Sequence, residues 1–220
     1  MNIELPNSSQ PTPVGKILGI GRNYAEHADE MARNVPDEPM VFLKPASAVV
    51  RSGGSVILPP QSQNVHHEVE LVAVVGEEGR DIPENKALDH VSGYALGLDM
   101  TARDLQAKAK EQRHPWSVAK GFDTFAPLGP FTAAASVPDP QNLRLRLTVN
   151  GEVRQEASTE KMMFSVAELV SYCSQIFTLT SGDLLYTGTP SGVGLVEDGD
   201  VLEAAATNCA SLSVSVTRPA

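Results

Sequence analysis

The sequence is poor in cysteine, in positive charge and in long apolar runs. Its 220 residues include two cysteines, Cys173 and Cys209, which lie far apart and belong to no Cys-x-x-Cys pair. Two such thiols favour a reducing compartment over a disulfide framework. The 17 lysine and arginine residues are outnumbered by 27 acidic residues, for a formal net charge of −10. Because an acidic protein is a poor partner for nucleic acid or an anionic membrane, we predict neither partner.

Targeting and membrane-spanning segments are equally hard to find. Residues 1–13 are polar and contain proline, without the basic start and apolar run of a signal peptide. No apolar stretch approaches the length of a membrane span. We therefore expect a cytoplasmic protein in which residues 1–15 form an N-terminal tail or edge segment. Residues 16–220 are long enough to bury one core and are expected to form a single domain.

The pattern of apolar residues predicts many strands and few helices. Strands are predicted over residues 16–20, 41–43, 55–58, 66–75, 91–99, 143–149, 152–155, 184–187, 201–205 and 212–216. Helices are predicted over residues 23–33, 84–90, 101–112 and 165–177. The α/β alternation of a parallel sheet is not sustained, so we predict a mainly β fold with peripheral helices, of mixed α+β class.

Three local patterns refine this prediction. Thr101 with Asp104, and Ser165 with Glu168, have the spacing of a capping box, in which each residue pair satisfies amides at a helix start. The dipeptide at 150–151 is Asn-Gly, which favours a tight hairpin because both turn positions need a positive φ.

Acidic residues in the apolar strands are the first candidates for a functional site. Glu68 and Glu70 lie two positions apart on a strand, so they share a face about 6.6 Å apart. An exposed sheet face would explain this pair, whereas a buried pair would repel and would call for a cation. Asp99 ends the next apolar strand, where either a ligand site or a simple turn is expected. If the three converge, their oxygens suit Mg²⁺ or Mn²⁺, although the spacing leaves the convergence open.

Other polar residues admit both a functional and an ordinary interpretation. His27 and Glu30 are three apart on the predicted helix, where a carboxylate can hold a histidine that deprotonates water, but solvated pairs are commoner. Lys120 lies in a predicted loop, where a lysine is usually solvated. His66 and His67 point to opposite faces of a strand, so they do not bind one zinc ion.

Several motifs together resemble the fumarylacetoacetate hydrolase superfamily. They occur in the family's order and spacing from about residue 16 to 216, at residues 21–27, 42–45, 66–71, 93–106 and 188–194. The chain is most similar to the small single-domain acylpyruvate hydrolases, including the fumarylpyruvate hydrolases. This resemblance implies a mixed β-sandwich roll of the family's C-terminal type, a catalytic domain over residues 16–220 and a homodimer.

The resemblance also implies roles for individual residues. It implies an Mg²⁺ site, with Mn²⁺ or Ca²⁺ as alternatives, whose ligands are Glu68, Glu70 and Asp99. It implies that His27 and Glu30 form a catalytic pair on a mobile lid and that Lys120 contacts the substrate. A small 2-oxo acid substrate would be held by Arg22, Arg103, Gln106 and Thr189.

The activity implied by the resemblance is hydrolysis of a carbon–carbon bond in an acylpyruvate, such as acetylpyruvate or fumarylpyruvate, to pyruvate and a carboxylic acid. Because loss of carbon dioxide from oxaloacetate passes through the same enolate, an oxaloacetate decarboxylase or enol–keto isomerase is the alternative. A metal-stabilised protein that binds carboxylates without catalysis is the third hypothesis. The separate N-terminal domain of fumarylacetoacetate hydrolase itself is lacking, so we do not expect fumarylacetoacetate to be the substrate.

Overall fold

The strands in the described part of the chain form two large sheets and two small ones. A computed structural model describes residues 1–6, 10–24 and 37–219. The first strands are β1 (Asn2–Ile3), β2 (Thr12–Pro13), β3 (Ile17–Gly21), β4 (Met40–Lys44), β5 (Val49–Arg51), β6 (Ser55–Ile57), β7 (Val65–His67), β8 (Val69–Val75) and β9 (Val91–Leu98). The remaining strands are β10 (Thr101–Ala102), β11 (Ala126–Leu128), β12 (Thr132–Ala133), β13 (Arg144–Val149), β14 (Glu152–Ser158), β15 (Leu184–Tyr186), β16 (Gly194–Leu195), β17 (Val201–Ala206) and β18 (Cys209–Thr217).

The larger sheet contains both parallel and antiparallel pairs of strands. Its strand order is β4-β3-β15-β8-β9-β11-β5, and β12 also pairs with β9. The β15–β3 and β11–β5 pairs are parallel and the other pairs are antiparallel. The second sheet has the order β14-β13-β17-β18-β6, and only its β18–β6 pair is parallel. Small sheets join β10, β7 and β16, and β1 with β2.

The two large sheets pack face to face across one hydrophobic core. Leu71 and Leu96 of the larger sheet share this core with Leu147, Leu202 and Leu212 of the second sheet. Strand β8 is buried along its whole length, because its other face contributes to a second apolar cluster. The predicted mainly β fold with peripheral helices is confirmed, as is the β-sandwich roll.

Among the described residues, three α-helices lie around the sheets, α1 (Arg103–Gln112), α2 (Ser117–Lys120) and α3 (Val166–Ile176). Helix α3 begins with the predicted capping box, since the Ser165 side chain accepts from the Glu168 amide and the Glu168 side chain accepts from the Ser165 amide. The predicted helix over 84–90 is a 3-10 helix. The predicted hairpin joins β13 to β14, with φ of 52° at Asn150 and 81° at Gly151.

Two predicted elements need correction near the site. The strand predicted over 66–75 is interrupted at Glu68, because β7 pairs with β10 and β16 whereas β8 pairs with β9 and β15. The helix predicted from Thr101 begins at Arg103, since Thr101 lies in β10, and the capping box there is wrong. Asp104 instead accepts hydrogen bonds from Ser62 Oγ at 2.6 Å and from the Gln63 amide at 3.0 Å.

The N-terminal residues pack on the fold. Strand β1 pairs with β2, and the side chains of Ile3 and Leu5 are buried. The division into residues 1–15 and 16–220 stays a prediction. Of the helix predicted over 23–33, Asn23 and Tyr24 are not helical and the remainder lies outside the described residues. None of the helices in the described part of the chain has the length and apolar character needed to cross a membrane.

Candidate metal centre

Three buried carboxylates meet where β7, β8 and β9 end or begin. Glu68 lies between β7 and β8, and Asp99 follows β9, so the antiparallel pairing of β8 with β9 places them side by side. The Asp99 amide donates to the Glu68 carbonyl at 2.8 Å. Glu70 projects from β8 into the same space. One oxygen from each of the three carboxylates lies within 4.8 Å of the others, and all three residues are buried.

The carboxylate of Glu70 is held by the backbone. Its Oε2 accepts a hydrogen bond from the Gly188 amide at 2.8 Å. Gly188 has a φ of +97°, and a Cβ at this position would lie 2.6 Å from the Cβ of Asn23, so a side chain is excluded here. Burial raises the pKa of Glu70 well above its usual range, and the charges of Asp99 and Glu68 raise it further.

Three cationic side chains surround the other two carboxylates. Lys120 Nζ donates to Glu68 Oε2 at 2.8 Å and also to Asp99 Oδ2. Lys44 donates to Asp99 Oδ1, and Arg103 donates to Glu68 Oε1. Lys120 and Lys44 are buried, and Lys120 ends helix α2, so the prediction that Lys120 lies in a loop is wrong. Lys44 was not among the expected site residues, although it lies in the motif at 42–45.

These contacts move the pKa values in opposite directions. Burial alone would raise the pKa of Glu68, but Lys120 and Arg103 outweigh burial and lower it. Burial would likewise lower the pKa of Lys120, but Asp99 and Glu68 outweigh burial and raise it. For Lys44 burial dominates over the charge of Asp99, and its pKa is lowered. Glu68 is therefore held as an anion and Lys120 as a cation.

A pocket opens from the carboxylates between β3, β4, α1 and the chain after β15. Its lining beyond the three carboxylates consists of Ile20, Gly21, Arg22, Phe42, Arg103, Gln106, Lys110, Trp116, Lys120 and Thr189. The Phe42 and Trp116 rings pack against one another, with centroids 5.9 Å apart. The structure thus gathers Arg22, Arg103 and Gln106 with Lys120 and Thr189 around one cavity.

Gln155 is a buried residue that the sequence did not single out. Its Nε2 donates to Thr189 Oγ1 at 2.9 Å, and its Oε1 accepts from the Val69 amide at 3.0 Å. Thr189 Oγ1 in turn donates to the Val69 carbonyl at 2.8 Å. Gln155 therefore ties strand β14 to the backbone between Glu68 and Glu70.

Asn23 is a second buried residue near the site that was not among the predicted site residues. Its Nδ2 donates to the carbonyls of Phe164 and Thr187, at 2.9 and 2.8 Å, and its Oδ1 accepts from the Phe164 amide at 2.8 Å. These bonds fix the chain beside Arg22, whose φ of 60° lies in the left-handed region that non-glycine residues seldom adopt. The expected catalytic pair, His27 and Glu30, lies outside the described residues.

The donor set fits a hard divalent cation. Carboxylate oxygens are the ligands that Mg²⁺ and Mn²⁺ prefer, and three such ligands leave coordination positions for water or substrate. His67 Nδ1 lies 3.0 Å from Gln155 Oε1 and His66 Nε2 lies 2.8 Å from Asn64 Oδ1, so the two imidazoles serve different contacts. The arrangement can hold a metal ion beside a cationic pocket.

Comparison with known proteins assigns the class. Residues 16–217 match the fumarylacetoacetate hydrolase C-terminal family, and the chain belongs to this enzyme family.

Among its relatives is the mitochondrial oxaloacetate tautomerase of Arabidopsis thaliana, which is 49% identical over 203 residues, or 92% of this chain and 91% of that protein. The mitochondrial oxaloacetate decarboxylase of Dictyostelium discoideum is 48% identical over 86% of this chain and 87% of its own length. A crystal structure of fumarylpyruvate hydrolase from Pseudomonas aeruginosa with Mn²⁺ and pyruvate superimposes with a TM-score of 0.93 at 44% identity, covering 100% of this chain and 96% of that one.

Proposed function

We propose that this protein is a divalent-metal-dependent enzyme that forms the enolate of a small 2-oxo acid, and that its reaction is the enol–keto interconversion of oxaloacetate. The observation that carries this proposal is the buried centre of Glu68, Glu70 and Asp99 beside the protonated Lys120. The oxaloacetate tautomerase among the relatives, which covers most of the chain, supports the choice of reaction. Hydrolysis, which the sequence favours, becomes the second candidate.

The metal site would consist of Glu68, Glu70 and Asp99. A divalent ion bound there supplies Lewis acidity to the oxygens of the 2-oxo acid. Mg²⁺ is the proposed ion, and the Mn²⁺ in the Pseudomonas aeruginosa structure supports a site that also takes Mn²⁺.

The remaining pocket residues would orient the substrate and stabilise its charge. Arg103 and Gln106 lie on one face of helix α1, and their polar groups would bind the carboxylate of the 2-oxo acid. Arg22 and Thr189 line the other side of the pocket. Lys120 supplies a buried positive charge that stabilises the oxygen on which negative charge develops when carbon 3 gives its proton to a water molecule. Since these residues lie within a largely buried site, each charge acts through a low dielectric.

Acylpyruvate hydrolysis is the second candidate, and the fumarylpyruvate hydrolase structure supports it. Hydrolysis needs an attacking water and a base, for which we propose His27 oriented by Glu30. Tautomerisation needs no attacking water. Decarboxylation of oxaloacetate also needs none, and a decarboxylase is among the relatives.

Kinetic assays of the wild type and of His27→Ala distinguish these reactions. The substrates are enol-oxaloacetate and acetylpyruvate, each assayed with Mg²⁺ and with a chelator, and pyruvate release from oxaloacetate reports decarboxylation. We expect metal-dependent tautomerisation that survives His27→Ala, whereas any acetylpyruvate hydrolysis falls roughly a hundredfold to ten-thousandfold with loss of the general base. If kcat/KM for acetylpyruvate hydrolysis exceeds that for tautomerisation, hydrolysis is the main function. Ligand binding without any turnover would favour the non-enzymatic hypothesis.

We also propose a homodimer, which the family resemblance implies, and a cytoplasmic location, which the composition favours. Analytical ultracentrifugation of a homodimer would give about twice the 23.4 kDa mass of the chain. Both cysteines are free, which is consistent with a reducing compartment such as the cytoplasm. The relatives from Arabidopsis and Dictyostelium carry the word mitochondrial in their names.

A further inference from the structure

We propose that Lys110 binds the distal carboxylate of the substrate and makes the pocket selective for 2-oxo dicarboxylic acids over 2-oxo monocarboxylic acids. This inference rests on the proposed function, because it requires the 2-oxo acid end of the substrate to lie at the carboxylate centre. It adds a residue to those expected from the sequence.

The first observation is the position of Lys110 on helix α1. Arg103, Gln106 and Lys110 are spaced by three and then four residues, so they lie on one face of the helix, and all three line the pocket. Arg103 contacts Glu68 at the metal centre. The backbone of Lys110 lies about 10 Å further along the helix axis than that of Arg103, given the rise of 1.5 Å per residue. Both side chains donate to Gln106 Oε1, at 3.0 Å from Arg103 and 3.3 Å from Lys110, so their cationic groups lie only a few ångströms apart. One helix face therefore runs from the metal centre to Lys110.

The second observation is that Lys110 is oriented by its neighbours. Its Nζ lies 5.1 Å from the centroid of the Trp116 ring and donates to Gln106 Oε1 at 3.3 Å. The same Gln106 oxygen accepts from Arg103 at 3.0 Å. A cation held against an aromatic face keeps less of its hydration than a free surface lysine, so it is a better partner for an incoming carboxylate.

The third observation is the distribution of cationic groups along the pocket. Its described lining includes Lys120 and Arg103 at the carboxylate centre and Lys110 on the same helix face as Arg103. A divalent ion at the carboxylates would add positive charge beside Lys120. Cationic groups near both ends of a bound 2-oxo acid favour a substrate with a carboxylate at each end.

Binding measurements on matched variants and matched ligands test the inference. The variants are Lys110→Met, Lys110→Arg and, as a control, Lys108→Met, because Lys108 is exposed on the same helix and does not line the pocket. The ligands are 2-oxoglutarate and 2-oxopentanoate, which have the same chain length and differ in a carboxylate or a methyl group at the far end. Dissociation constants are measured by calorimetry with the protein saturated with Mg²⁺.

We expect the wild type to prefer 2-oxoglutarate. Lys110→Met should raise the dissociation constant of 2-oxoglutarate roughly tenfold to a hundredfold, the scale of one lost charged hydrogen bond. It should change the dissociation constant of 2-oxopentanoate by less than about twofold. Lys110→Arg should retain most of the preference, and Lys108→Met should retain all of it. A wild type without this preference, or a Lys110→Met variant that weakens both ligands equally or neither, overturns the inference.

A kinetic comparison separates failure of this inference from failure of the proposed function. The substrates are oxaloacetate and its 4-ethyl ester, which lacks the distal charge. Turnover of both with a ratio unaffected by Lys110→Met would overturn the role of Lys110 and leave the proposed reaction standing. Absence of turnover with either substrate, while the dissociation constants diverge as expected, would overturn the proposed reaction and support the role of Lys110.

Discussion

Glu68 and Glu70 lie in the same centre but have different partners. Glu68 accepts hydrogen bonds from the cationic side chains of Lys120 and Arg103. Glu70 accepts from the neutral amide of Gly188 and faces two other carboxylates. A buried anion with cationic partners is stabilised by them, whereas a buried anion beside other anions is destabilised until a cation binds. The two residues should therefore respond differently to the same substitution.

Replacing each glutamate by glutamine tests this difference. In metal-free protein, Glu68→Gln should lower the free energy of unfolding by about 3 kcal/mol, because it leaves buried cations with one fewer counterion. Glu70→Gln should change it by less than about 1 kcal/mol, or raise it, because repulsion is relieved. Both variants should lose the stabilisation that Mg²⁺ gives the wild type. Urea unfolding with chelator and with Mg²⁺ measures all of these, and equal losses in metal-free protein would contradict the account.

Removal of the charge of Lys120 should have opposite effects on metal binding and on turnover. Lys120→Met should bind Mg²⁺ more tightly, since an ammonium group no longer competes for Glu68 and Asp99. Its turnover should fall roughly a hundredfold or more, on the scale of one lost donor to a developing oxyanion. Calorimetric titration with Mg²⁺ and steady-state kinetics measure the two effects. Turnover at the wild-type level would mean that Lys120 serves only to neutralise the carboxylates.

Several site residues lie at the ends of strands or at the start of a helix. Lys44 ends β4, Asp99 follows β9 and Arg103 begins α1. Such positions are fixed by contacts between elements rather than by a regular hydrogen-bond ladder. Two of these contacts can be tested by substitutions outside the pocket lining.

Asn23 links the chain after β3 to two segments that are distant in sequence. Its replacement should therefore destabilise the contacts with both segments. Asn23→Ala leaves buried groups of Phe164 and Thr187 without their partner, so we expect a loss of about 2–4 kcal/mol in the free energy of unfolding. Because Thr187 precedes the glycine that holds Glu70, the variant should also bind Mg²⁺ more weakly. Asn64→Ala, at an exposed asparagine, is the control and should lose less than about 1 kcal/mol. A similar loss of unfolding free energy in both variants would show that the hydrogen bonds of Asn23 make no particular contribution to stability.

Asp104 should make the anchoring of helix α1 depend on pH. Burial alone would raise the pKa of Asp104, but hydrogen bonds from Ser62 and from backbone amides together outweigh burial and lower it. A carboxylate with a lowered pKa stabilises the fold above its ordinary value of 3.8, and this contribution disappears as the pH falls through the lowered pKa. Asp104→Asn should therefore cost about 1 kcal/mol at pH 7, and this cost should shrink progressively as the pH falls below 3.8. Urea unfolding of the wild type and the variant from pH 7 to below pH 3.8 measures the difference in their free energies of unfolding. A difference that stays constant with pH would contradict this role of Asp104.

At the scale of the whole molecule, the sequence predicted the fold class and most strands. The alternation of buried and exposed residues in β13 and β17 is visible in the sequence because one face of that sheet meets the core. The short strands β5 and β11 were not predicted. Each has three residues, too few to show a period, and their parallel pairing joins segments that are distant in the chain.

The site was predicted less completely than the fold. The spacing of Glu68 and Glu70 could be read from one strand, but the approach of Asp99 depends on the pairing of β8 with β9. Lys44 and Gln155 were missed because their partners lie in other elements, and no local pattern reports such contacts. Lys120 was predicted to lie in a loop, and only the family resemblance gave it a role at the site, because its immediate neighbours carry little charge. Its carboxylate partners come from elsewhere in the chain.

The most direct test of the central claim is the rate of ketonisation of enol-oxaloacetate, followed by the decay of the enol absorbance after rapid mixing. Wild-type protein should accelerate this decay with Mg²⁺ and not with chelator, and Glu70→Gln should be inactive in both conditions while remaining folded. Acceleration that persists with chelator, or that Glu70→Gln retains in full, would contradict a metal-dependent reaction at the carboxylate centre.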